Sequence, residues 1–406
     1  MAEYDVKLNG KQLLGLLNEG NALSEMVSDI INQVLEAQMS EHLGANRYEH
    51  NEDRTGYRNG YRSRTLYTRV GPLNLRIPQT RDGSFDPQIF KRYQRHEQAF
   101  VAGIMEMYIN GVSTRKVTKL TEELCGTKFS KSTVSMLCTG IDDRVNIWRQ
   151  RDLSEHKYPF VLVDALVVDI RNGDAIYSMG VLIAYGINEQ GKRETLDLMI
   201  ADSESEHSWD KFFKQLKDRG LSGVDLVISD AHSGLVKALK RNYQNAQWQR
   251  CQVHFMRNIL GHASRKIRAQ IAEPLKLIFQ APDKKTARKL AQELINKFAD
   301  KAETAMQVLE DGLENALTVL QLPKAYRQRL RTTNMPERVN EEIRRRQRVI
   351  RIFPNTDAAL RLIGALLADI HDDWRMGNRY FDMTEYHDWK KELEEENKKN
   401  KVVTIA

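Results

Sequence analysis

Cysteine is scarce in this 406-residue chain and badly placed for crosslinking: there are three, Cys125, Cys138 and Cys251. An odd, widely spaced set argues against a disulfide framework and for a reducing compartment. Long apolar runs are also missing. No start-proximal apolar segment follows a basic stretch, and nowhere do about 18 apolar residues run uninterrupted, so neither signal peptide nor membrane span is expected. No internal repeat is visible. What remains is a soluble, cytoplasmic protein with no membrane partner, long enough for roughly two or three domains that each bury a core.

Positive charge is what the chain has in excess. Lys and Arg number 62 against 55 Asp and Glu, a net of +7, which makes a polyanionic partner plausible without identifying it. Its distribution is more telling than its total. Between Arg54 and Arg95 stand ten Lys/Arg, among them Arg58, Arg62 and Arg64, against only Asp82 and Asp86, with tyrosines at 57, 61, 67 and 93.

Apolar spacing predicts an amphipathic helix from Leu23 to Leu43, whose stripe either packs on the body or pairs subunits. "RTLYTRVGPLNLRIP" reads as two short strands broken at Gly71-Pro72, a basic hairpin suited to phosphate contact or simply a solvated charged face. Three short helices follow over Phe100–Ile141. The second is capped at Ser113 or Thr114 and closes at Gly126; the third is capped at Ser130. Two helices joined by a short turn, with Arg115, Lys116 and Lys131 near their starts, match a helix-turn-helix, and a non-binding three-helix bundle is the other reading.

From Tyr158 the period becomes that of strands. "YPFVLVDALVVDIR", "AIYSMGVLIAYGI" and "RETLDLMIAD" are separated by Asn-Gly and "NEQGK" turns, predicting an antiparallel meander. Then come a helix from Glu206 to Arg219, strand "DLVIS", a helix from Ser233 to Tyr243, strand "WQRCQVH" and a helix from Phe255. The order βββαβαβα is that of an α/β fold, a ribonuclease H-like mixed five-stranded sheet with flanking helices. Residues 262–331 are helical almost throughout. A helix with Pro336 in its first turn and another over "FPNTDAALRLIGALLADIHDDW" follow, and the charged end of the chain is expected to fray. The domains expected are an N-terminal helical segment (1–50), a basic hairpin module (51–98), a helix-turn-helix-like module (99–150), a catalytic core in two parts (151–261 and 332–385) split by an all-α insertion (262–331), and a tail (386–406).

Phosphoryl transfer on DNA needs two divalent cations held by carboxylates. Asp164 lies mid-strand between "FVLV" and "ALVV", where an acid is costly unless paired or metal-bound. Asp169 is five positions on and faces the other way. Asp230 ends the strand "DLVIS"; if the first and fourth strands are adjacent and parallel, Asp164 and Asp230 face each other at their carboxyl ends, while Asp225 is too distant. Glu337 opens the first strongly patterned helix after the helical stretch, with Glu341 as runner-up one turn on. On pattern alone, ordinary surface or cap carboxylates remain an equal reading.

The motifs "VDA" (163–165), "SDAHSGL" (229–235), "WQRCQVHFMRNIL" (248–260) and "TTNMPERVNEEIRRR" (332–346), in this order and spacing, resemble the IS256 family of transposases, the bacterial branch of the Mutator-like group. "YRNGYRSRTLYTRVGPLNLRIPQTRDGSFDP" and the tryptophan of "ESEHSW" fit too, so the likeness spans nearly the whole chain. Each motif is weak alone; the ordered set is specific. The resemblance implies a DDE transposase whose triad falls on Asp164, Asp230 and Glu337. These would coordinate two Mg2+ ions, with Mn2+ as substitute. The enzyme would hydrolyse double-stranded DNA at terminal inverted repeats and use the freed 3′-hydroxyl to attack target DNA. It also implies a homodimer, nucleoid association when bound to DNA, and a circular DNA intermediate. The chain departs from the family at Leu166, where relatives often carry an aromatic, and at Asp169, where they often carry a base, which puts substrate contacts along that strand in question.

The Cys251/His254 pair lacks the second close pair of a structural zinc site, and nothing supplies the base and oxyanion arrangement of a cysteine nucleophile. In the family this spacing is a hallmark. His254 is read as a contact to the scissile phosphate or a positioner of an acid, against a satisfied strand-end histidine, and Cys251 as packing or a weak donor. His232 either orders the loop after Asp230 or is a helix-start polar residue. Trp209 either stacks on an unpaired base or belongs to the core. Arg250, Arg257, Arg338, Arg344, Arg345, Arg346 and Arg348 are candidate phosphate contacts. Two other classes stay in view: a non-catalytic, sequence-specific DNA-binding regulator derived from a transposase, against which the three acids weigh, and a ribonuclease H-like nuclease or junction resolvase, which leaves the N-terminal modules unexplained.

Overall fold

The computed structural model describes residues 4–8, 10, 22–89, 94–126 and 128–403, without the side chains of Lys131 and 397–403. Lys91, Arg92 and Tyr93 of the cationic segment, and much of residues 1–21, therefore lie outside the described residues. The chain divides into two compact units, 1–140 and 141–406.

In the first unit, helix α1 (Ala22–Leu43) lies against a hairpin of β1 (Arg58–Thr68) and β2 (Gly71–Thr80). Strict alternation in β2 sends Leu73, Leu75 and Ile77 inward, where they meet Leu66 and Leu35. Gly71 makes the turn at φ 112°, a conformation open to glycine and strained for other residues. Three helices follow: α2 (Gln98–Ile109), α3 (Thr114–Cys125) and α4 (Lys131–Leu137). Ser113 and Ser130 cap α3 and α4 by accepting the Lys116 and Thr133 amides, and Gly126 ends α3 in the left-handed region.

The second unit begins with α5 (Ile141–Gln150), tied to it by Arg149 Nε to Asp197 Oδ1 at 3.2 Å and by paired Arg361 to Asp142 bonds of 2.7 Å. Its sheet holds β3 (Phe160–Asn172), β4 (Ala175–Ile187), β5 (Arg193–Ala201), β6 (Leu226–Ser229) and β7 (Gln247–Arg250), in the order β5-β4-β3-β6-β7. β3, β4 and β5 pair antiparallel; β3, β6 and β7 pair parallel. The mixed five-stranded sheet with flanking helices is thus as expected. α6 (Glu206–Asp218) and α7 (Ser233–Asn242) cover one face, burying Trp209, Phe212 and Phe213 against Val161 and Val163.

Beyond the sheet, α8 (Gln252–Gly261), α9 (Arg265–Gln280), α10 (Lys284–Phe298) and α11 (Glu303–Ala316) pack around a core of their own that includes Phe255, Leu275, Leu294 and Leu309. Gly312 lets α11 approach α8: a Cβ there would stand 2.6 Å from the Phe255 ring. α12 (Lys324–Leu330), α13 (Asn334–Ile350), α14 (Thr356–Met376) and α15 (Thr384–Val403) complete the unit.

Two local expectations are corrected. The strand over 248–254 stops at Arg250, and α8 starts at Gln252 rather than Phe255. Its partner β6 is only four residues long, so the ladder runs out. The Cys251 amide then closes on Ser229 O at 2.7 Å, and the Gln252 amide is taken by Arg331 O at 2.9 Å. As far as Val403 the charged end is helical rather than frayed: Thr384–Val403 forms a helix, with Tyr386 buried against Phe160 (ring centroids 5.0 Å) and Lys390 bound to Asp225 at 2.5 Å, while residues 404–406 lie outside the described residues. One buried aromatic and one ion pair anchor a helix whose mean composition looks disordered.

Candidate active site

The parallel register aligns Phe160 with Leu226 and Leu162 with Ile228. The same 66-residue offset separates Asp164 from Asp230, so the two acids stand side by side where β3 and β6 cease to pair. Gly234 allows the start of α7 to press against that of α6, since a Cβ would lie 2.5 Å from the Glu206 amide. α13 crosses beside β3 and brings a third acid, Glu337.

These groups share one electrostatic environment. Burial pushes the Asp164 carboxyl up to about 6; the Ala165 amide and His254 oppose the rise, while the Asp230 and Glu337 charges add to it. Asp164 Oδ1 accepts the Ala165 N–H at 3.0 Å and Oδ2 accepts Asn340 Nδ2 at 2.8 Å. Glu337 Oε1 lies 3.6 Å from His254 Nε2 and 3.8 Å from Arg257, and it is buried without a hydrogen-bond partner. Asn340 Oδ1 is buried and unpartnered too. Among the described residues, no three His, Cys, Asp or Glu side chains converge tightly enough to hold a single ion. Asp230 and Glu337 act on Asp164 through their charges rather than as a closed cage of ligands.

Cys251 and His254 sit at the start of α8, not on a strand. The Cys251 sulfur is fully buried and accepts from Thr333 N (3.4 Å) and Thr333 Oγ1 (3.3 Å). Burial raises the thiol's pKa, but hydrogen bonds with His254 and Thr333 more than offset this and leave it below its ordinary value. Its bond with Cys251 in turn raises the His254 pKa, helped by Asp164 and Glu337 and opposed by burial. The Thr333 bonds thus link the start of α13 to Cys251 at the start of α8, and His254 Nε2 approaches Glu337 Oε1 at 3.6 Å.

Two residues at this site were not foreseen. Asn340 shares the Glu337 face of α13 three residues on; that spacing was the available signal, but the carboxylates at 337 and 341 are the stronger chemical signal, and Glu341 is exposed. Glu204, in the loop before α6, accepts Trp209 Nε1 at 3.2 Å and lies 3.4 Å from His232 Nδ1. Burial pushes its carboxyl up; Trp209 and His232 lower it and the Asp230 charge raises it. Nothing in the local sequence marks it. The His232 amide caps Asp230 Oδ1 at 3.2 Å, so His232 ties Glu204 to the Asp230 turn.

The expected DNA contacts divide. Arg62, Arg115, Lys116, Arg257, Arg338, Arg344 and Arg348 are exposed. Arg345 is exposed but pairs with Glu342 at 3.0 Å, and Arg64 is half-buried and donates to Gln94 O. Lys131's side chain lies outside the described residues. Three of the candidates are engaged elsewhere in the fold. Trp209 is fully buried among Phe212 and Phe213, so base stacking is closed to it. Arg346 is buried and held by Glu342 at 2.7 Å, because its place on α13 faces the body. Arg58 spends its charge on Glu36 (2.9 Å) and Ser40 (2.8 Å), clamping the hairpin to α1. Arg250 is half-buried with its guanidinium 4.1 Å from the Phe255 ring centroid.

Comparison with known proteins agrees with the ordered motifs. The family profile described as "Transposase, Mutator family" matches residues 5–377. The transposase for insertion sequence element IS256 in transposon Tn4001 of Staphylococcus aureus is 45% identical over 358 residues, covering 88% of this chain and 92% of the relative. That for ISRM5 of Rhizobium meliloti (strain 1021) is 42% identical over 376 residues, 93% and 94% of the two chains. That for IS1081 of Mycobacterium tuberculosis is 35% identical over 359 residues, 88% and 86% of the two. Among the described residues, no helix is long and apolar enough to cross a membrane. The chain belongs to the Mutator family of transposases.

Proposed function

We propose that this protein is a DDE transposase that binds the terminal inverted repeats of an insertion sequence, cleaves a DNA strand there by metal-dependent hydrolysis, and joins the freed 3′-hydroxyl to target DNA by transesterification. The observation that supports the reading is that Asp164, buried on β3, feels the charges of Asp230, at the end of β6, and Glu337, on α13, with its carboxyl raised to about 6. A buried acid crowded by two others costs stability and has no structural use unless cations occupy the space. The strand order, with 262–331 helical between the second acid and the third, supports a ribonuclease H-like core split by a helical insertion.

The donor set suits hard divalent cations. Carboxylate oxygens and the unpartnered Asn340 carbonyl and Glu337 Oε1 are ligands for Mg2+, with Mn2+ as a substitute, and there is no soft ligand among them. Asp164, Asp230 and Glu337 would hold two such ions. Bound there, the pair supplies Lewis-acid stabilisation to the attacking and leaving oxygens of a phosphodiester. The protein's own groups do the rest. Asn340 fixes the rotamer of Asp164, and His232 with Glu204 steadies the turn bearing Asp230. His254, its pKa raised by its bond with Cys251 and by the acids, would contact the scissile phosphate and position Glu337. Arg257, Arg338 and Arg344 grip flanking phosphates by charge-assisted forks. In the first unit, Arg62 of the hairpin and Arg115 and Lys116 of α3 contact the inverted repeat. The active assembly is a homodimer in the cytoplasm, located on the nucleoid when bound.

The deciding assay incubates purified protein with its element end and Mg2+, comparing wild type with Asp164→Asn. Cleavage by wild type alone is expected. Cleavage by both would remove the assignment, and sequence-specific binding with cleavage by neither would make the protein a regulator.

A further inference from the structure

α13 has a second working face. Asn334, Arg338 and Glu342 form a strip one step round the helix from Glu337 and Asn340, and this strip is one wall of a cavity of about 1050 Å³. Val253 and Thr332, the chain neighbours of His254 and Thr333, line the cavity too.

Its lining is cationic to a degree the fold does not require. Arg193, Arg329, Arg331, Arg338 and Arg379 all line it, and none of the five makes an ion pair among the described residues. The one lining carboxylate, Glu342, is already held by Arg345 and Arg346. The floor is aromatic: Arg193 lies 4.6 Å over Trp374 and 4.7 Å over Tyr380, and Arg329 lies 4.6 Å over Tyr380. Stacking fixes the guanidinium planes; Arg329 Nη1 donates to Tyr380 O, and the remaining edge donors face the cavity. Burial lowers the pKa of Arg193, Tyr380 opposes this, and the Arg329 and Arg338 charges lower it further, so these cations repel one another across the cavity. Clustered like charges with no counter-ion in the protein are relieved by a polyanion from outside.

We propose that this cavity is a strand subsite, which takes the sugar-phosphate backbone of an unpaired DNA strand adjoining the scissile phosphate. The identity of the polyanion rests on the transposase reading above. A duplex presents a convex backbone with its bases turned inward and does not enter such a concavity. An unpaired strand can lay its phosphates on the guanidinium edges and its bases on the stacked arginine and aromatic faces.

The test uses the full-length protein in chelator, with a labelled oligothymidylate of about 20 nucleotides carrying 4-thiothymidine for photocrosslinking. Arg379→Glu is the cleanest variant, because Arg379 is exposed and makes no hydrogen bond or ion pair among the described residues; Arg329→Glu/Arg379→Glu is the stronger one. The single variant is expected to weaken strand binding about tenfold. The slope of log affinity against log salt is expected to fall by about 0.7 for each phosphate no longer neutralised. Crosslinks are expected in the peptide spanning Trp374 and Tyr380. Unchanged affinity with crosslinks confined to residues 1–140 would overturn the subsite, as would equal competition by an unlabelled duplex of the same length. No metal or cleavage enters these measurements, so their failure removes the subsite alone, whereas cleavage by Asp164→Asn removes the enzyme reading and leaves a strand-binding result standing.

Discussion

Replacing Asp164 by asparagine is expected to stabilise the metal-free protein while abolishing its chemistry. The carboxyl is raised from its usual 3.8 to about 6, chiefly by burial. A shift of roughly two units at about 1.4 kcal/mol each amounts to roughly 3 kcal/mol. Because the folded-state pKa is the higher one, the fold binds this proton more tightly than the unfolded chain does. The stabilising contribution is therefore complete below pH 3.8 and is lost as pH rises through about 6. Above that, the ionised carboxylate sits in a place that disfavours it. Asparagine keeps an acceptor for the Ala165 and Asn340 N–H groups and carries no charge. In chelator, the melting-temperature gap between Asp164→Asn and wild type is expected to open between pH 4 and 6.5 and to reach roughly 6–12 °C at pH 7.5. With Mg2+ at about a thousand times its dissociation constant the order reverses, since an ion that binds only the wild type then adds about 4.1 kcal/mol. Calorimetry across pH with and without Mg2+ measures both. A gap in chelator that does not change with pH would refute the buried, like-charged environment on which the site argument stands.

Asn340→Ala removes a hydrogen bond to that same carboxylate, a loss of about 1.5–3 kcal/mol, and is expected to move the acid limb of the cleavage pH profile upward by about one to two units. Cys251→Val leaves the buried Thr333 amide without its acceptor and is expected to cost about 1–3 kcal/mol in urea unfolding, whereas Cys251→Ser, which keeps an acceptor, costs less; equal losses would show that only packing matters there. Tyr386→Ala takes a buried ring from the cluster with Phe160 and Tyr326 and is expected to destabilise by about 3–5 kcal/mol, which a chain end that contributes nothing would not show.

Much of the candidate site could be read from the chain because the signals were local and strong. Alternating and continuous apolar runs marked β3, β4 and β5, the serine caps marked α3 and α4, and an acid inside "FVLVDALVV" stood out because burial makes it expensive. Other features left no local trace. Glu204 is one of several acids in "DSESEHSW", and only the packing of its loop beside His232 distinguishes it. Asn340 looks like any polar helical residue until α13 is laid along β3. Trp209 and Arg346 carry the right chemistry for DNA, yet packing turns one into the sheet's core and the other against Glu342. The end of the chain has a disordered composition, but a single buried tyrosine outweighs the average.

The sequence by itself determined most of the elements and their order and pointed to Asp164, Asp230 and Glu337 as candidates, because periodicity, capping and the cost of a buried charge act over a few residues. Only the tertiary structure decided which side chains share the space around those acids. That depends on the parallel register of β3 with β6 and on how α8 and α13 cross them. These contacts join residues far apart in the chain and are set by the packing of the whole unit.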